Sequence, residues 1–519
     1  MRSNQDSLRS KHAQAGMAMA GATFAMASAS AIQAALYLHS FGIDGRTDGF
    51  FVAFALYTVF GVFSQSIRVT SAPLLVGADR TLSIREFAAT LALIAVPVAI
   101  VTMPLAHPLA LLLAPGLSEA DRAITQSALP ILGGAMILQL WAAGAATVLA
   151  VRDRFKAVAL AYIVGAGAGL VSYLVVSGSA HELSMAWSML TMAAVTCALM
   201  VAGLRSGALA EQVPDARLRL GRLFANSVSI LGRTAVYLAF NALYLITLAF
   251  TSRFEPGDAT VLSYAYLFAS YLVAGTAFAL GMSRIADMRR GALADWRAVL
   301  ADTVPHGFRY SMLLVAPALA GLVTAGASLI GDVFTASLTH QDVRTLRLFA
   351  ALLAAWTVAA LLVNLLLPAM FALGRAWLVN ALALPLIGLH VAATALGGAL
   401  AGAEGVVGGA FVAPLCFAAI LLYIGAGDVR GHLARELARD GLRFAVLAAV
   451  AFGLGALIGT SVADGLLGAV VSGACGTLLY GLLAPAAAPQ QVRLITRSLR
   501  RAAPPASNPA GSPAANAAS

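Results

Sequence analysis

The chain has 519 residues, of which 60% are hydrophobic and only 11% charged, with a mean hydropathy of +0.86. Ordinary soluble domains carry about 25% charged residues, so this composition cannot coat a water-soluble surface and a soluble enzyme is excluded. The 33 Lys and Arg against 23 Asp and Glu mark loop orientation in a membrane chain and give no reason to expect nucleic-acid binding.

In chain order, Arg2, Arg9 and Lys11 lie in an N-terminal tail (residues 1–15) ahead of an apolar run over 16–38. That run is too long for the core of a cleaved signal peptide and is read as the first membrane span. The apolar runs predict about fourteen spans. Six form an N-lobe over 16–204, near 16–38, 49–76, 88–113, 123–151, 157–177 and 183–204. After a linker at 205–225, six more form a C-lobe over 226–426, near 226–250, 260–286, 309–336, 346–373, 376–398 and 404–426. A last pair lies near 441–462 and 464–484, and an Ala-, Pro- and Ser-rich tail, expected to be disordered, covers 485–519. Nothing alternates at period two over barrel-like segments, so the predicted class is an all-α polytopic membrane protein.

Loop charges test the count. With a cytoplasmic N-terminus, inner segments hold 26 Lys and Arg, outer loops 4, and spans 3, which predicts both termini inside. A weak internal repeat accompanies this pattern. Asp121 and Asp342 each open a long helix, Arg154 and Arg375 each follow one, and both pairs are 221 residues apart. Six helices per half would relate the lobes by a pseudo-two-fold axis along the membrane normal. Arg493, Arg497, Arg500 and Arg501 read as a basic anchor on anionic lipid.

Ionisable groups at bilayer depth are costly and therefore functional candidates. Arg68 and Arg233 each lie about 12 Å inside a span by helical rise, one in each lobe. They are either a guanidinium fork for a phosphate group or side chains that snorkel to the interface. His390 is the candidate protonation site, and Asn364 and Gln33 are candidate polar cavity residues. No Asp or Glu falls at mid-membrane. Cys197, Cys416 and Cys475 have no metal or disulfide spacing, and no nucleophile–base pair or Gly-rich phosphate loop is present, so the reading is no enzyme, no cofactor and no metal. Prolines within spans, including Pro97, Pro104, Pro317, Pro368 and Pro414, fit the broken helices of transporters.

The stretch Thr47-Asp48-Gly49-Phe50-Phe51-Val52-Ala53-Phe54 resembles the T-D-A-F-F-V-A-F signature of the lipid II flippase family, a branch of the multidrug, oligosaccharidyl-lipid and polysaccharide exporter superfamily. Ala114-Pro115-Gly116, Asp153-Arg154-Phe155 and Pro368 to Phe371 are similar to further motifs of that family. Asp48 also precedes an apolar run, a position suited to capping its own helix. The resemblance implies a bacterial inner-membrane flippase that moves an undecaprenyl pyrophosphate-linked glycan, lipid II or a related precursor, by alternating access. In such proteins the last helix pair forms a groove for the lipid tail. It also implies cell-wall or polysaccharide synthesis proteins as partners. The alternatives are a transport-inactive scaffold for cell-wall synthesis and a small-molecule exporter of the same superfamily. The family's charged cavity positions fall here on Gln33-Ala34, Gly61 and Tyr266-Leu267, none of them charged.

Overall fold

A bilayer core offers backbone N–H and C=O groups no partner, so a chain this apolar must satisfy them within helices. The computed structural model describes residues 29–492 except 31, 76–82, 153, 206–218, 279, 281–284, 334–337 and 490, and holds helices and turns throughout, with no strand among the described residues. The N-terminal tail, the start of the first span, Asp153, most of the linker and the arginines from Arg493 to Arg501 lie outside the described residues, as does the side chain of Arg68.

The N-lobe comprises α1 (32–41), α2 Gly45–Leu75, α3 Ile84–Thr102, α4 Ala106–Leu113, α5 Glu119–Val151, α6 Phe155–Ala180 and α7 Ser184–Arg205. The C-lobe comprises α8 Leu220–Thr251, α9 Asp258–Val273, α10 Ile285–Gly321, α11 Ala327–Val333, α12 His340–Ala372, α13 Ala376–Ala381, α14 Ala383–Gly409 and α15 Val412–Ala426. The final pair is α16 Arg430–Val462 and α17 Gly465–Ala487. Among the described residues, eleven helical stretches are long and apolar enough to cross a membrane. Two of them, Phe155–Leu204 and Val412–Val462, run for 50 and 51 residues. At 1.5 Å per residue each would span about 75 Å, more than twice a hydrocarbon core of about 30 Å, so each is a hairpin of two crossings. With α1 the count is about fourteen, in two six-helix lobes plus a C-terminal pair.

Local chemistry sets the helix ends. Ser83 and Glu86 form a capping box at α3, as Thr339 and Asp342 do at α12. Ser118 caps α5 by accepting from the Asp121 N–H at 3.2 Å. The span expected over 88–113 breaks between α3 and α4, because Pro104 has no N–H to continue the helical ladder and the Leu105 N–H turns to the Ile100 carbonyl at 3.2 Å. The turn expected near 399–403 is found inside α14, where Ala401 and Gly402 (φ 61) leave helical geometry and the chain folds back. Gly397 thereby lies against Gly405 and Gly409 against Ala393, while Ala410 and Phe411 keep helical geometry into α15. Two π-helical turns, Ala274–Phe278 and Leu322–Gly326, extend α9 and α10.

Each lobe buries its own apolar core. One centres on Phe51, Phe87, Leu132, Leu140 and Tyr173, the other on Leu262, Phe308, Phe349, Leu361 and Phe417. The 221-residue offset recurs in the contacts. Arg154 Nη1 donates to the Gly203 carbonyl at 3.1 Å, and Arg375 Nη1 donates to the Ile424 carbonyl at 2.5 Å, in both cases 49 residues further along the chain. Each arginine thereby holds a C-terminal carbonyl of a helix in its own lobe. The lobes meet along α2, α3, α8 and α9, and the α16–α17 hairpin packs on α10.

Candidate functional site at the lobe interface

Asp48 is fully buried, and its carboxylate crosses from the N-lobe to the C-lobe. Oδ2 accepts the Gly257 N–H at 2.7 Å, and Oδ1 accepts the Thr260 N–H at 2.7 Å and the Thr260 hydroxyl at 2.6 Å. The cap expected on its own helix is therefore a correction: Asp48 caps α9, and Asp44 caps α2. Asp44 Oδ1 accepts the Thr47 N–H at 3.0 Å, and the Asp44 carbonyl accepts the Asp48 N–H at 3.0 Å. A carboxylate at a helix N-terminus faces the positive end of the dipole, and charge-assisted bonds of this kind are the strong ones.

The backbone on both sides is shaped for this approach. Gly257 has φ +99, left-handed geometry that side chains resist, and a Cβ there would also meet Ile43. In the Ala114-Pro115-Gly116 stretch, a Cβ on Gly116 would fall on the backbone of Ser252 and Arg253. Beneath this layer the remaining motif residues form an aromatic seal. Phe50, Phe51 and Phe54 are buried around Tyr37, and Phe51 packs edge-on against Tyr264 of α9 with ring centroids 5.0 Å apart. The Tyr264 hydroxyl donates to the Ala34 carbonyl of α1 at 2.8 Å.

At the opposite end of the bundle, Arg222 Nε of α8 meets Glu86 Oε1 of α3 at 3.3 Å, with the arginine side chain 54% exposed. Arg233 is exposed on the same helix. Beside it, Asn380 donates to the Gly232 carbonyl at 2.5 Å and accepts the Val236 N–H at 3.1 Å, the two ends of one i to i−4 step of α8. A side chain inserted into a helical ladder marks a local opening of the helix. The relation of Arg68 to Arg233 is not part of the described structure, because the Arg68 side chain lies outside it.

The other selected residues are not brought together. Asn364 Nδ2 donates to the Ala360 carbonyl of its own helix at 2.9 Å. Gln33 is fully buried, and neither amide atom has a partner among the described residues. His390 is buried between α14 and α8, with Nε2 2.9 Å from the Thr247 hydroxyl. The sequence reading missed Thr260, Tyr264 and Thr247 as partners and did not single out Asn380 as one. An apolar recess of 520 Å³ lined by Leu138, Ala194, Cys197, Ala198, Val201 and Ala202 includes none of the selected residues. Where the resembled family has charge, Gly61 lies under the Gln139 amide and Tyr266 stacks on Tyr244 with centroids 3.8 Å apart. Among the described residues no cluster of His, Cys, Asp and Glu could hold a metal ion.

No protein-family model matches the sequence, and no curated protein matches it. Solved structures do share the fold. The lipid II flippase MurJ in an inward closed conformation superposes with a TM-score of 0.67 at 14% identity, covering 94% of this chain and all of that one. A multidrug resistance MATE transporter of the MOP superfamily, in an inward-facing conformation, gives 0.58 at 11% identity over 79% of this chain and 95% of the other. A Vibrio cholerae MATE transporter gives 0.55 at 14% identity over 82% and 98%. The chain therefore has the two-lobed architecture of these transporter structures.

Proposed function

We propose that the protein is a flippase that moves an undecaprenyl pyrophosphate-linked glycan between membrane leaflets by rocking its two lobes. The observation that carries this reading is the interface itself. One end is closed by buried bonds from Asp48 to α9, and the other is bridged by a half-exposed ion pair. Lobes held at two ends by separable contacts are what alternating access requires. The similarity to MurJ supports a lipid-linked substrate.

The orientation follows the loop charges, with both termini cytoplasmic in a bacterial inner membrane, the Asp48 end outward and the Glu86 end inward. The polar headgroup would enter between the lobes from the inner side while the lipid tail stays in hydrocarbon, against α16 and α17. Arg68 and Arg233, one on each lobe, supply the positive charge for the pyrophosphate. The uncharged Gln33, Gly61 and Tyr266 favour a second reading, a transport-inactive scaffold.

Native mass spectrometry of the purified protein separates the two. The lipids are lipid II, undecaprenyl pyrophosphate, an undecaprenyl-linked oligosaccharide and a neutral lipid. The flippase reading expects selective retention of the pyrophosphate lipids, weakened about tenfold or more in Arg68→Ala plus Arg233→Ala. Equal retention of the neutral lipid overturns it in favour of the scaffold.

A further inference from the structure

His390 is the one histidine buried in the described structure, and its two ring nitrogens are treated differently. The Thr247 hydroxyl lies 3.0 Å from the Leu243 carbonyl, and with its proton given to that carbonyl its oxygen is an acceptor toward the imidazole. That network assigns the ring N–H to Nε2, which lies 2.9 Å from the Thr247 oxygen. Nδ1 is left as a bare lone pair, buried and without a partner among the described residues. A buried acceptor without a donor is unfavourable, and a proton arriving there would create a buried imidazolium.

Among the described residues nothing around the ring supplies a counter-charge. On α8 the nearest ionisable side chain along the helix is Tyr244, whose hydroxyl donates to Ser263. On α12 the ionisable groups stop at Arg347, and α13 has none. On α15 they are Cys416 and Tyr423, both exposed. On α14 itself the other is Glu404, fourteen residues on and exposed. A protonated His390 is thus disfavoured in the conformation described and favoured in one where α8 and α14 part and water reaches the ring.

The position of this contact gives it leverage. Thr247 lies one turn before the end of α8, and the loop that follows carries the Gly257 N–H held by Asp48. The same loop sets Phe254 against Gly398 and Gly402 where α14 folds back on itself. Parting α8 from α14 at His390 therefore displaces the segment that closes the Asp48 end. We propose that His390 is a proton-binding site, and that its protonation releases the Asp48 latch and drives the lobes apart at that end. The proposal rests on the alternating-access reading and adds protons as the coupling ion.

The test is hydrogen–deuterium exchange of segment 252–262, which holds the two N–H groups bonded to Asp48. The full-length protein in lipid nanodiscs is compared at about pH 5.5 and about pH 7.5, after correction for intrinsic exchange. In the unmodified protein, opening should rise about tenfold at the acid pH, and in His390→Gln the rise should fall below about twofold. His390→Asn is the second variant, for use if glutamine does not fold. Thr247→Val keeps the ring and should keep the acid response. An unmodified protein with no acid response, or an unchanged response in the His390 variant, overturns the proposal. Lipid retention is measured separately at about pH 7.5. Acid response without pyrophosphate-lipid retention removes only the substrate, and retention without acid response removes only the proton site.

Discussion

The two ends of the lobe interface are built from opposite kinds of contact. At the Asp48 end, a buried carboxylate takes three hydrogen bonds from one helix start, over a floor of five aromatic rings and two glycines that let backbones touch. At the Glu86 end, the described ionic contact is one pair whose arginine is more than half in solvent. A buried charge with matched donors is strongly held and strongly missed when a partner is lost, whereas exposed ion pairs contribute about 0–1 kcal/mol. The molecule is shut firmly at one end and lightly at the other. A conformational cycle would therefore meet its larger barrier at the Asp48 end.

The largest test of this asymmetry is Asp48→Ala. It strands the Gly257 and Thr260 N–H groups, and the interface should weaken by about 3 kcal/mol. A spin-label distance distribution across that end should then shift to an open population, while an unchanged distribution would refute the latch. Tyr264→Phe removes one interhelical bond to α1 and leaves the ring. It should cost about 1 kcal/mol, read as a lowered thermal unfolding midpoint in detergent, and no change would place the seal in the rings alone. Arg222→Gln should have the smallest effect, within about 1 kcal/mol and vanishing in high salt. A loss larger than that of Asp48→Ala would invert the comparison.

Much of the architecture was legible because the membrane makes it so. Helices must be about as long as the bilayer is thick, and loop charges count them. The 221-residue offset of Asp121 with Asp342 and Arg154 with Arg375 could also be read, and the structure gives both arginines the same task. The partner of Asp48 could not be read. An aspartate before an apolar run has the local pattern of a cap on its own helix, and the pattern does not reveal a partner 209 residues away. The true cap, Asp44 three residues before Thr47, has the same local pattern of an aspartate ahead of an apolar run. Asn380 looked like any intramembrane amide, because periodicity does not show which ladder a side chain enters.

Among the described residues the α16–α17 hairpin is fastened to the C-lobe. Arg309 of α10 grips Glu436 and Asp440 of α16 at 2.5 Å each, with all three largely buried. Along the hairpin, Gly455 and Gly459 let α16 lie backbone to backbone against Ser472 and Gly476 of α17. The hairpin is thus a stiff outrigger bolted to the C-lobe, and the two lobes are mechanically unequal despite their similar form. Any rotation of the C-lobe sweeps this outrigger through the surrounding lipid on a longer arm than anything on the N-lobe. The protein should feel bilayer thickness and viscosity chiefly from that side.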